Sequence, residues 1–171
     1  MKKVSLLILI TLFSLNAYAN TVEPINPDPN DPIGSEEIVH FIVSHHATVC
    51  TQYFDDGTAK CGALFLPELV DIRLVEDEYG HKEGVWVAFA ELEETRVVFT
   101  IKVFLGFGVQ SLEAKISYDD GKNMVRSIAY PENFSSFNTI DLDANFDVPN
   151  DPTIYHWLSL MVSPAPLPIK P

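Results

Sequence analysis

The sequence predicts an all-β fold, an antiparallel β-sandwich or flattened barrel of about ten strands behind a cleaved signal peptide. Three observations carry that expectation. Apolar and polar residues alternate with a period of two through most of the segment 35–163, which reads as a single domain. The alternating runs are separated by short clusters of Asp, Asn, Gly and Pro, which turn a chain tightly. Helix-period patterning is scarce.

The organising stretch runs from Val85 to Val109 and reads as a hairpin. In its second strand Val97, Phe99, Ile101, Val103 and Leu105 fall on one face. In its first, Val85, Val87 and Phe89 line one face and Trp86, Ala88 and Ala90 the other. A strand apolar on both sides is expected at mid-sheet, with cover on both faces. A turn at Glu93-Glu94 sets Glu91 across from Arg96, an attractive pair.

The chain begins with an address. Lys2 and Lys3 precede an apolar run from Val4 to Leu15, and Ala17-Tyr18-Ala19 supplies the small residues that signal peptidase needs. Residues 1–19 are therefore a leader, with cleavage expected after Ala19 into the periplasm or the extracellular space. The run is shorter than the roughly 20 residues of a spanning helix, so no transmembrane anchor is expected in the mature chain. From residue 20 to 34, Pro24, Pro27, Pro29 and Pro32 stand among Asn and Asp, the composition of a linker or loosely docked arm.

β-Branched residues and Phe41 favour a strand over 38–43, although Ser35 before two glutamates also fits a helix N-cap. Runs over 47–54 and 59–66 flank Asp55-Asp56-Gly57-Thr58 as a hairpin. Cys50 and Cys61 are the only cysteines, and in an exported chain they are expected to pair. With a two-residue turn at Asp56-Gly57 they would meet only diagonally. The bond thus implies a bulge or a different turn, and a Cα separation beyond about 7 Å would exclude it.

Val70, Ile72 and Leu74 form the inward face of the next strand, followed by a polar turn containing Tyr79 and His81. Leu112, Ala114, Ile116 and Tyr118 mark the inward face of 109–118. With Gly121 as the bulge residue of the following turn, Ile116 faces Met124 and Leu112 faces Ile128. A loop over 131–138 carries Phe134 and Phe137. Runs over 139–148 and 154–162 complete the strands, and Pro164, Pro166, Pro168 and Pro171 mark 164–171 as an extended tail.

Charge narrows the partners. The chain has 24 Asp and Glu against 11 Lys and Arg, a net charge of −13. Losing Lys2 and Lys3 with the leader makes the mature protein more acidic still. Such a surface repels phosphate backbones, and nucleic acid is not expected as a partner.

Asp141, Asp143, Asn145 and Asp147 place oxygen ligands at every second position, as an EF-hand loop begins. Phe146 stands where that loop needs glycine, and Pro152 where it needs a bidentate glutamate. Ile140, Leu142, Ala144, Phe146 and Val148 fill the alternate positions, so the row reads as the acidic outer face of an edge strand. A calcium-stabilised module is the last-ranked reading. The five histidines have no chelating spacing, and no nucleophile elbow, zinc-helix motif or phosphate loop occurs. No cofactor is implied.

The remaining signal is aromatic. Phe107 lies between two glycines at an expected connection, and Tyr79, Tyr130, Phe134 and Phe137 lie in or beside loops. Aromatic residues on loops at the end of a rigid scaffold make recognition surfaces. The leading expectation is an exported, non-catalytic binding protein of the cell envelope or exterior, contacting a protein or a glycan. A secreted hydrolase with a site assembled from distant strands is the alternative.

Overall fold

Each alternating run has one face that must leave water, and one sheet satisfies all of them by curling until the apolar faces meet. The computed structural model describes residues 37–52, 59–62, 66–92, 95–148 and 151–166. Its strands are β1 (Glu37–Gln52), β2 (Ala59–Lys60), β3 (Glu68–Glu76), β4 (Lys82–Leu92), β5 (Thr95–Gly106), β6 (Val109–Tyr118), β7 (Val125–Ala129), β8 (Ile140–Val148) and β9 (Asp151–Pro164). The leader, the Pro-rich arm and the end of the tail lie outside the described residues, as do the turn positions Asp56-Gly57 and Glu93-Glu94.

Every ladder is antiparallel, in the order β7-β6-β5-β4-β3-β1-β9-β8, with β2 appended to β1. The sheet is nearly closed into a barrel. Its end strands β7 and β8 lie side by side without sharing a ladder. Tyr118 bridges this seam from within, its hydroxyl 2.6 Å from His156 Nδ1 and its ring edge-on to Phe146 at 5.3 Å. Val97, Phe99, Ile101 and Val103 of β5 are fully enclosed with Phe41 and Val43 of β1 and Leu158 and Leu160 of β9. The expected Glu91–Arg96 pair forms at 2.7 Å.

The structure departs from the sequence reading in four places. First, 38–43 and 47–52 belong to one strand, β1, rather than to two strands or a helix. No turn residue interrupts it, because its first half pairs with β3 while the stretch from Phe41 onward pairs with β9. Second, β4 is not covered on both faces. Trp86, Ala88 and Ala90 point inward, but Val85 and Val87 remain 54% and 37% exposed on the outside. A curled single sheet has only one interior, and Phe89 gains its outer cover from the Arg96 guanidinium 5.3 Å above the ring.

Third, β1 and β2 pair Thr51 with Lys60 and Gln52 with Ala59, a register in which Cys61 is not opposite Gln52 as the two-residue turn at Asp56-Gly57 would have it. Cys50 then lies directly across from Cys61, and the two form a disulfide with a Cα separation of 4.6 Å. Fourth, β6 and β7 pair Ile116 with Val125 and Leu112 with Ala129, one residue away from the expected register. The turn is longer than a glycine bulge: the Tyr118 N–H donates to the Lys122 carbonyl, and Asn123 follows Gly121 in taking a positive φ. The extra residue puts Met124 and Ile128 outside, 54% and 42% exposed.

Two half-buried histidines, His45 and His46, give the fold a pH dependence. His45 packs against Trp86 and Phe99 at ring distances of 5.5 and 5.1 Å. Burial holds its imidazole below the ordinary value against the pull of Glu68, and burial together with the His45 charge lowers His46 likewise. The unfolded chain therefore takes up these protons at a higher pH than the fold does. Stability is complete above about pH 6.5 and is lost as pH falls below it, ahead of the carboxylates. Melting temperature is expected to drop between pH 7.5 and 5, and to drop less in His45→Gln; equal slopes in the two proteins contradict the assignment.

Candidate functional site

Strand directions sort the loops into two ends. One end gathers the start of β1, the β3–β4 and β5–β6 turns, the β7–β8 loop and the end of β9. There the β5–β6 hairpin closes through Phe107-Gly108, between the paired Gly106 and Val109. Both turn residues have positive φ, 54° and 74°, which is type I′ geometry. Asparagine or glycine suits the first position. Phenylalanine in the left-handed region costs about 1 kcal/mol. Burial does not offset that cost, because Phe107 is 86% exposed.

The neighbouring β3–β4 turn supports the ring. Asp77 Oδ1 accepts the backbone N–H groups of Tyr79 and His81 at 2.9 and 2.8 Å, and its Oδ2 lies 3.0 Å from His81 Nδ1. Desolvation opposes the charge on Asp77, but the bonds from His81 and Tyr79 prevail and hold its carboxyl below the usual range. The anchored His81 ring meets Phe107 at 4.0 Å and Phe104 at 5.8 Å, with Tyr79 at 6.2 Å. Gly106 permits this approach, since a Cβ there would come within 2.6 Å of the His81 ring. His81 Nε2 is enclosed with no hydrogen-bond partner among the described residues, and the imidazole supports the Phe107 ring.

The structure thus brings two of the five expected aromatics together. Phe107 and Tyr79, the latter 75% exposed, flank His81; Tyr130 is 71% exposed but stands apart, just after β7. Phe134 and Phe137 turn inward, edge-on to Phe41 at 6.2 and 5.9 Å. With Phe134 only 7% exposed, these rings cap the core instead of standing out as surface contacts like Phe107. An aromatic ring beside an open barrel mouth gains more by covering the core than by facing water. His81 and Phe104 escaped the sequence reading. Phe104 is an outward residue in a strand, and nothing local to it announces a ring from another turn.

A cleft of about 440 Å³ opens beside the tip. The hairpin that carries Phe107 forms one wall through the Leu105–Gln110 pair, one ladder step from the turn. Another cleft, of about 550 Å³, lies at the opposite end over Tyr118 and His156. Its rim charges are largely neutralised in pairs, Arg96 with Glu91 at 2.7 Å and Lys122 with Asp120 at 3.1 Å. No serine or cysteine lines it among the described residues.

Asp141, Asp143, Asn145 and Asp147 occupy the outer face of β8, which has β9 on one side and the seam on the other. At about 7 Å between alternate residues, the row is too extended to wrap one ion. Among the described residues no group of three or more His, Cys, Asp or Glu side chains is placed to hold a metal.

No protein family matches the chain, and neither a curated protein nor a solved structure resembles it significantly.

Proposed function

We propose that this is an exported, non-catalytic binding protein of the cell envelope or exterior, whose contact surface is the barrel end bearing Phe107 and Tyr79. The single observation that carries the reading is Phe107: a large apolar side chain in a left-handed turn, on a rigid hairpin, facing water. Burial of the side chain does not reward that choice, since Phe107 is 86% exposed, whereas a binding partner would. The leader pattern at Lys2 to Ala19 supports export. The outward residues of β6 and β8 include Glu113, Lys115, Asp141 and Asp143, and the inward ones are apolar, the reverse of a lipid-facing barrel.

A photo-cross-linking amino acid tests the surface. Placed at Tyr79 and exposed to the envelope fraction of the source cells, it is expected to give discrete adducts that disappear in Phe107→Asn. Placed at Met124, near the other end, it is expected to give none. The same adducts from both positions would overturn the reading. A hydrolase ranks second, favoured by the short Tyr118–His156 bond at the floor of the opposite cleft.

A further inference from the structure

The cleft beside the aromatic tip carries the reading one step further and rests on it. We propose that this cleft is a saccharide subsite that takes a neutral or N-acetylated sugar at the end of a glycan chain. At about 440 Å³ it falls within the roughly 300–1,000 Å³ of small-molecule sites, and it is too small for a folded partner. Its base is apolar: Val39 and Phe134 are buried and Leu105 half-buried. Its rim is a mixture of hydrogen-bond donors and acceptors, of which Asn133 and Glu37 are held by neighbours.

His40 lines the cleft beside Val39, but its imidazole lies on the outer face of β1, where Nδ1 is 2.7 Å from Asp71 Oδ1. Asn133 Oδ1 receives the Ser135 N–H and hydroxyl at 2.8 and 2.9 Å, which leaves the Asn133 amide N–H₂ as a donor. The Gln110 amide offers both functions, Glu132 accepts, and Glu37 accepts while held by Lys82 at 2.9 Å. Sugar hydroxyls each donate and accept, and pyranose rings present C–H faces. A mixed rim over an apolar base matches both features. The two rim carboxylates and the net charge of −13 select against anionic sugars. Phe107, in the turn one ladder step beyond the Leu105–Gln110 wall, offers a face to the sugars that follow.

Calorimetric titration of the mature protein with chitotetraose, cellotetraose and maltotetraose, and with an oligogalacturonate as anionic control, tests the assignment. At least one neutral probe is expected to bind with millimolar or tighter affinity and the anionic one not to bind. Gln110→Ala and Glu132→Ala are each expected to weaken binding about tenfold without lowering the melting temperature. Absence of binding by all three neutral probes at about 10 mM overturns the proposal, as does binding that both variants leave unchanged. If sugars fail while the Tyr79 cross-link persists, only the saccharide assignment falls. If sugars bind through the cleft and Phe107→Asn alters neither sugar binding nor cross-linking, the cleft stands and the role of Phe107 falls.

Discussion

The double variant Cys50→Ala/Cys61→Ala is expected to be less stable than the wild type by about 3 kcal/mol, or about 10 °C in melting temperature. The bond joins residues 11 apart in sequence, and closing such a loop removes entropy from the unfolded chain. It also fixes β2, whose ladder to β1 among the described residues is Thr51–Lys60 and Gln52–Ala59. Cys50 is fully buried, so alanine there loses packing as well. Reductant added to the wild type should reproduce most of the loss. A melting temperature unchanged by both treatments would show that the bridge stabilises nothing.

Phe41→Ala is expected to cost about 3–5 kcal/mol, the range for an enclosed aromatic truncated to alanine. Phe41 is completely buried and is the ring on which Phe134 and Phe137 rest. Its loss removes two edge-to-face contacts and frees the β7–β8 loop, which forms one side of the cleft. Denaturant unfolding measures the first effect. Amide exchange in residues 132–137 measures the second and should quicken more than exchange in β5. Equal protection in the loop with and without Phe41 would contradict the assignment of these rings to the core.

Most of the fold is legible because burial imposes alternation. The inward residues of β3, β5, β6 and β8 are the ones their periodicity names, and Glu91–Arg96 follows from counting across a short turn. What is not legible depends on distant parts of the chain. Apolar residues on both faces of β4 say that each face tolerates burial; they do not say how many layers exist to bury it. The positions of Phe134 and Phe137 depend on Phe41, more than ninety residues earlier, which no loop pattern reveals. Register at Asp119 to Asn123 turns on a second left-handed residue, Asn123, as well as on Gly121.

The candidate site was half visible for the same reason. Phe107 between two glycines is a local signal and Tyr79 in a polar turn is another. Their meeting over His81 is a property of two hairpins packed at one barrel end. Asp77 explains why the support holds its shape: one carboxylate gathers two backbone N–H groups and the imidazole.

Unfolding free energies of the wild type and Phe107→Asn, compared at pH 7.5, test the central claim most directly. If Phe107 is kept for contact against the interest of the fold, asparagine should relieve the left-handed strain and raise stability by about 1 kcal/mol, since Asn-Gly is the favoured type I′ pair. A loss of similar size would show that the ring on His81 stabilises the hairpin, and that its exposure has no need of a partner.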